Sequence, residues 1–320
     1  MKETVLYKFS GAGNDFVVID GREGDVSAFR EVSRIEALCK EYKTDGLMIL
    51  GQEMPGQAGH DGKTQAGHDV MADPDRPSVD FTMEFYNPDG SGGMMCGNGG
   101  RCIVAFADYL GIKPASGGVF LFRAPDGLHT GEILERPEDG LWTVRIKMID
   151  VQGITPMLGG YFLNTGTRHF VKFVPDVEAV DVETEGKALR WNEAFAPIGT
   201  NVNFVHVAPD GLHVRTFEKG VEGETLACGT GLTAAAIAAY EISRLRPADF
   251  ARNDKAPVIS TKNSDDNPVI STKAGGRVEK SYRLRARQDW LSVDFTPGPE
   301  DTFTNVYLTG PARLVGIKEG

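Results

Sequence analysis

The chain has 320 residues, a length that predicts two domains, and its 34 Lys and Arg against 45 Asp and Glu give a formal charge of −11, which argues against a nucleic-acid partner because phosphate backbones are held by clustered cations. Hydrophobic residues at 41 % and charged residues at 25 % fit a soluble globule with ample core, and no apolar run approaches the about 18 residues of a membrane span. Glu3 interrupts the start where a signal peptide needs an apolar stretch, and four cysteines (Cys39, Cys96, Cys102, Cys228) are too few for a disulfide framework, so a reducing cytoplasm is the expected compartment.

Short apolar or alternating runs recur between turn signals such as PDG (88–90, 125–127, 209–211) and PEDG (137–140). In chain order they are TVLYKF, FVVID, LMIL, VDFTMEFY, WTVRIKMI, HFVKFV, NVNFVHV, HVRTFE, LSVDFT and VYLTG. Runs rich in β-branched and aromatic residues, bounded by turns, predict strands. Three helices are expected: one from about Val26 to Tyr42, and two that start after glycine-rich turns, over about 99–110 and 231–244. The chain is therefore predicted to be α+β, mostly strand with a few helices.

Two stretches read as insertions. Residues 52–78 repeat QAGHD at 57–61 and 65–69, and residues 252–276 repeat PVISTK at 257–262 and 268–273. Short duplications in polar, turn-rich sequence are what surface loops tolerate. His60, Asp61, His68 and Asp69 carry metal-ligating groups, but a loop with no strand or helix to fix them more often leaves them solvated, and no metal is expected.

A longer internal echo matters more. MMCGNGGRCIVAFADYLG (94–111) resembles LACGTGLTAAAIAAYEIS (226–243), and SGAGNDFVVID (10–20) loosely echoes NTGTRHFVKFV (164–174). Each half thus carries a Gly-rich turn into a strand and, later, a cysteine at the start of an apolar helix. A duplicated domain explains this economically; on the helix signal alone, chance similarity explains it equally well.

A residue that precedes a helix sits beside unsatisfied backbone N–H groups and the positive end of the helix dipole. A thiol there ionises more readily than its reference pKa of roughly 8.5 implies. The glycines after Cys96 and Cys228 let backbone amides approach an anion closely, so each turn is also a candidate carboxylate site. Two such turns face to face place two sulfurs on either side of one α-carbon. One removes a proton and the other supplies one from the opposite face, which is a racemisation or epimerisation without cofactor. The spacing of Cys96 and Cys102, with five residues between and no partner pair, speaks against zinc. Cys39 and Cys102 fall inside helices and read as core thiols.

At these residues the sequence resembles the diaminopimelate epimerases. The resemblance spans nearly the whole chain outside the two insertions and is carried by KFSGAGNDFVVID (8–20), FYNPDGSGGMMCGNGGRC (85–102), GTNVNF (199–204), FEKGVEGETLACGTG (217–231) and VYLTGPARLVG (306–316). It implies two pseudo-symmetric domains, each a β-barrel-like sheet wrapped around a central helix, with the active site in the cleft and the C-terminal tail returning to the first domain. On that reading the first half is 1–123 plus 308–320, with the insertion at about 52–78, and the second is 124–307, with the insertion at about 252–276. The implied reaction is reversible conversion of LL- to meso-2,6-diaminopimelate, a small-molecule amino-acid substrate, in lysine and peptidoglycan-precursor synthesis. No cofactor, metal, nucleic acid or membrane is implied, and a homodimer is what the resemblance suggests. By motif, Cys96 and Cys228 become the acid/base pair, and the amides of Gly97, Asn98, Gly229 and Thr230 hold the reacting carboxylate. Asn14, Asn87 and Asn201 match substrate-binding asparagines, whose side chains offer both donor and acceptor. His169 and Glu218 match residues that tune the thiols or contact substrate, and Lys219 falls at a substrate-binding position.

Three departures from the family pattern stand out. The usual G-N-P-H is Gly166-Thr167-Arg168-His169, the usual E-R-G is Glu218-Lys219-Gly220 with one extra residue before GETLACG, and the usual G-A-D-G is Lys43-Thr44-Asp45-Gly46. Lys219 keeps a positive charge but lacks the planar fork that grips a carboxylate, and Arg168 is a candidate to replace it. Two other readings stay open: a proline-type racemase or related isomerase of the same fold, and a non-catalytic module in which Cys96 and Cys228 pair as a redox disulfide.

Overall fold

The structure is a computed structural model and describes residues 4–52, 78–93, 95–136, 139–244, 269–274 and 277–319. The QAGHD repeat, with His60, Asp61, His68 and Asp69, and the first PVISTK copy lie outside the described residues. The chain divides into two compact units, residues 1–146 with 311–320, and residues 147–310.

The first unit opens with strands β1 (Val5–Gly11) and β2 (Asn14–Asp20), an antiparallel pair joined through Ala12 and Gly13, both at positive φ. Helix α1 (Val32–Tyr42) carries the chain over to β3 (Leu47–Gly51), which lies parallel to β2, and β3 turns back into β4 (Phe81–Tyr86). Helix α2 (Gly97–Tyr109) then leads to β5 (Val119–Ala124), parallel to β4, and to the meander β6 (Gly127–Glu135) and β7 (Leu141–Lys147). The last strand of the chain, β18 (Thr302–Glu319), pairs with both β1 and β7, so the ring of strands closes. Closure removes the open edges that a sheet otherwise exposes. Helix α2 is buried on every face from Gly97 to Ala107, as a helix inside a ring must be.

The second unit repeats the scheme. Strands β8 (Val151–Gln152) and β9 (Thr155–Met157) precede β10 (Gly160–Asn164) and β11 (Arg168–Phe173), an antiparallel pair with Gly166 at positive φ in its turn. Helix α3 (Val182–Arg190) leads to β12 (Asn201–Ala208), parallel to β11 and paired with β13 (Gly211–Glu218). The short β14 (Gly223–Thr225) folds back on β13 before helix α4 (Gly229–Arg244). Strands β15 (Val269–Ala274), β16 (Arg277–Arg285) and β17 (Trp290–Pro297) follow, with β16 parallel to β13. The first part of β18 pairs with β17 and β8, and β9 pairs with β10, which closes this ring around α4. Parallel pairs thus fall at matching places in both units, each bridged by a helix, and this is the duplication that the sequence echo suggested. The APDGLH strings at 124–129 and 208–213 also match: His129 bonds Asp126 and His213 bonds Asp210.

The structure departs from the sequence expectation in four places. Residues 124–146, expected in the second half, complete the first ring: a Cβ on Gly131 of β6 would press on Val104 of α2 and on Ile146 of β7. Likewise the second boundary falls between Gly310 and Pro311. The first helix breaks in two, because Glu31 is extended between a 3-10 turn at Ser27–Arg30 and α1. The end of the supposed second insertion is ordered strand, with Val269–Ala274 paired to β16.

Two contacts fix α2 in its ring. Gly11 of β1 packs so closely on the helix that a Cβ there would lie 2.8 Å from the Asn98 carbonyl oxygen and 2.9 Å from Cys102 Sγ. Arg101 is fully buried and donates from Nε to the Pro311 carbonyl, from Nη1 to the Gly97 carbonyl and from Nη2 to Asn98 Oδ1. It therefore ties the returning C-terminal strand to the first turn of α2. Arg101→Met keeps much of the volume but strips partners from buried acceptors, and is expected to lower the unfolding free energy by roughly 3 kcal/mol. Gly11→Ala is expected to cost about 1–3 kcal/mol by overpacking. Urea unfolding checks both, and an unchanged midpoint for either variant contradicts the role assigned to that contact.

Candidate active site

Cys96 is extended (φ −101°, ψ 150°) and caps α2, its Sγ accepting the Gly99 N–H at 3.2 Å while its carbonyl takes the Gly100 N–H. A side chain on Gly99 would press on that sulfur and on Met48, so the turn admits little else there. Gly97 and Asn98 open the first turn of α2, at the positive end of its dipole. Asn98 Nδ2 donates to Asn14 Oδ1 at 2.6 Å, and Asn98 Oδ1 accepts from Arg101. Asn14, at the start of β2, is thereby tied to the first turn of α2. Just upstream, the Met95 N–H donates to Asp126 Oδ1, the same oxygen that His129 Nε2 meets at 3.1 Å. Asn87 closes its own turn: its Nδ2 donates to Ser91 Oγ and its backbone N–H to the Ser91 carbonyl.

The second unit builds a comparable helix start on a different set of side chains. Cys228 immediately precedes α4, and its carbonyl accepts the Leu232 N–H. Its Sγ lies 3.4 Å from Thr230 Oγ1. Gly231 is required because a Cβ there would collide with Asn203 Oδ1. His169, on β11, is fully buried; its Nε2 lies 2.9 Å from both Thr167 Oγ1 and Thr230 Oγ1, and its Nδ1 lies 3.1 Å from Asn203 Nδ2. The orientation of Asn203 is fixed by its other bonds: Nδ2 donates to the Phe170 carbonyl and Oδ1 accepts from Thr216 Oγ1. Nδ1 of His169 is therefore the acceptor and Nε2 carries the hydrogen. Burial pushes this imidazole down to about 3, with the Asn203 bond pulling the other way, so it is neutral.

Asn201, opposite His169 across the β11–β12 ladder, is similarly committed. Its Oδ1 accepts the Lys219 N–H at 2.8 Å, and its Nδ2 donates to the Arg168 carbonyl at 2.9 Å and to Thr167 Oγ1 at 3.4 Å. Thr165 Oγ1 donates to the Thr230 carbonyl. Burial raises the Glu218 carboxyl above its usual range, opposed by the Thr225 hydroxyl. Lys219 itself is exposed. The Arg168 guanidinium lies over the Phe162 ring at 5.1 Å and donates to the Phe195 carbonyl, contacts that hold it in place beside β10.

Within the first unit the structure brings Asn14, Asn98, Gly97 and Cys96 together. Within the second it gathers His169, Asn201, Thr230, Cys228 and the backbone of Lys219. Asn87, among the described residues, is bonded within its own turn. Sequence reasoning missed Arg101, Asp126 and Asn203, all of which hold the helix starts in place. The two remaining cysteines are core thiols, both pushed up by burial, and Cys102 packs against Gly11. Among the described residues no helix is long and apolar enough to cross a membrane.

Comparison with known proteins points to the diaminopimelate epimerases. A family model described as "Diaminopimelate epimerase" matches residues 161–277. The diaminopimelate epimerase of Flavobacterium psychrophilum (strain ATCC 49511) is 32 % identical over 97 % of this chain and 97 % of that protein. That of Aquifex aeolicus (strain VF5) is 41 % identical over 73 % of this chain and 81 % of its own length. Among solved structures, a hydroxyproline epimerase from Agrobacterium vitis superposes with a TM-score of 0.56 at 13 % identity, covering 99 % of this chain and 92 % of that one, a likeness of fold. The chain belongs to the diaminopimelate epimerase family and is an isomerase of the epimerase class.

Proposed function

We propose that the protein converts LL-2,6-diaminopimelate to the meso isomer by a cofactor-independent two-base mechanism in which Cys96 and Cys228 are the acid/base pair, serving lysine and peptidoglycan-precursor synthesis. The observation that carries this reading is the repeated Cys-Gly-x-Gly start of a buried helix, once in each unit. Such a helix start supports negative charge on the sulfur and on a bound carboxylate alike.

In the forward direction one thiolate takes the α-proton and becomes a thiol. The electron pair left on carbon is delocalised into the carboxylate. The other cysteine, a thiol at the outset, delivers its proton to the opposite face and is left as a thiolate. Bonds and charge balance without an external reductant or metal, and reversal of the direction exchanges the two roles. The amides of Gly97, Asn98, Gly229 and Thr230 would hold the reacting carboxylate. With its Oδ1 engaged by Asn98, Asn14 would present its amide N–H groups to substrate. Asn201 has committed its Oδ1 once and both Nδ2 hydrogens, so its part would be to shape the Lys219 and Arg168 backbone and the Thr167 hydroxyl around the substrate.

The test is turnover by reduced protein treated with chelator and freed of pyridoxal phosphate. Activity on LL-diaminopimelate is expected to survive that treatment, and Cys96→Ser and Cys228→Ser are each expected to lower kcat by at least about a hundredfold. Full activity in either serine variant defeats the two-base assignment. Turnover of hydroxyproline or proline in place of diaminopimelate would leave the two-thiol chemistry standing and remove the substrate; the hydroxyproline epimerase likeness is the reason to include them.

A further inference from the structure

The polar side chains around Cys228 can be assigned donor and acceptor roles one at a time, and the assignments run in a single direction. Asn203 donates to His169 Nδ1, as fixed by its bonds to Phe170 and Thr216. His169 Nε2–H is therefore a donor, 2.9 Å from the hydroxyl oxygens of Thr167 and Thr230. Asn201 Nδ2, its own orientation fixed because Oδ1 accepts the Lys219 N–H, also points a hydrogen at Thr167 Oγ1. Among the described residues, the acceptor within reach of the Thr167 hydroxyl hydrogen is Thr230 Oγ1 at 3.1 Å, and the chain takes that direction. His169 has one Nε2 hydrogen, shared between the two hydroxyls, so with Thr167 donating to it Thr230 Oγ1 points its own hydrogen at Cys228 Sγ at 3.4 Å.

We propose that Thr167, the residue that departs from the family pattern, is a positioning residue for Cys228: with His169 and Thr230 it forms a one-way chain of hydrogen-bond donors that ends on the sulfur, so that Cys228 is the thiolate partner in the resting enzyme. A thiolate is a far better acceptor than a thiol, so a hydroxyl that can only donate to the sulfur favours the ionised form. The neutral, buried imidazole is what sets the direction, since a charged ring would donate from both nitrogens and clash with the Asn203 amide. The inference rests on the reading of Cys228 as one of the acid/base pair, but its test does not require turnover.

Substrate-free protein is treated with iodoacetamide at neutral pH, and labelling of the Cys228 and Cys96 peptides is followed by mass spectrometry. Alkylation rate tracks the thiolate fraction. Thr167→Val is expected to slow labelling of Cys228 by about fivefold or more while leaving Cys96 unchanged, and Thr167→Ser to restore the rate to within about twofold of the parent protein. Thr230→Val and Thr230→Ser form a second pair, with the same contrast expected, should the Thr167 variants fold poorly. Parent-like labelling of Cys228 in a folded valine variant overturns the proposal, because Thr230 would then donate to Thr167 or to solvent and not to sulfur. Equal slowing in the serine and valine variants overturns it too, since that pattern reports a packing defect. If the protein proves inactive on diaminopimelate yet shows the serine–valine contrast, the substrate reading falls and the donor chain stands.

Discussion

A helix that starts inside a closed ring of strands must find partners for its first amide N–H groups without help from bulk water. In both units a cysteine followed by glycine stands at that start. In the first, the thiol itself caps the helix, taking the Gly99 N–H. In the second, the sulfur is met by a threonine hydroxyl from the helix's own first turn. The rest of the structure bears on keeping these two starts fixed. Gly11 and Gly231 let neighbouring groups approach, Arg101 and Asn203 supply buried polar support, and Asp126 holds the residue ahead of Cys96.

The two starts are alike in backbone and unlike in what supports them. Around α2 the support comes from an arginine that reaches the returning C-terminal strand and an asparagine pair that reaches β2. Around α4 it comes from an imidazole, two carboxamides and two hydroxyls. A two-base reaction needs one sulfur ionised and the other protonated at the moment substrate binds. Unlike surroundings on a like backbone are a direct way to make that distinction, and in the proposed donor chain the ionised role falls to Cys228. Thr167 matters in that scheme because a hydroxyl both accepts and donates, and so passes the direction on.

Much of this was legible in the sequence, for physical reasons that also explain what was not. Runs such as HFVKFV and NVNFVHV announce strands through β-branched and aromatic residues, and the Ala-rich stretch after Cys228 announces a buried helix. Helix α3 escaped notice because VETEGKALR is nine residues of mostly polar sequence, with Val182 and Gly186 its main buried contacts. Strands β5, β6 and β10 hide behind neighbouring glycines, which read as turns. Buried polar residues are the hardest class. Arg101 and Asn203 resemble surface residues until the acceptors and donors around them are seen, and those come from positions up to 210 residues away. The ring boundary was misplaced for a related reason: nothing local says that β6 and β7 close around a helix they follow.

The most direct test of two opposed thiols serving one carbon is the isotopic fate of the proton. Protiated LL-diaminopimelate is incubated in deuterated water, and residual substrate and meso product are examined by proton NMR at low conversion. Two-base chemistry predicts deuterium at the inverted carbon of the meso product while unreacted LL substrate remains protiated, because the base that removes the proton is not the acid that replaces it. Product that retains the original proton would show one group acting on both faces and would contradict the assignment of Cys96 and Cys228 as a pair.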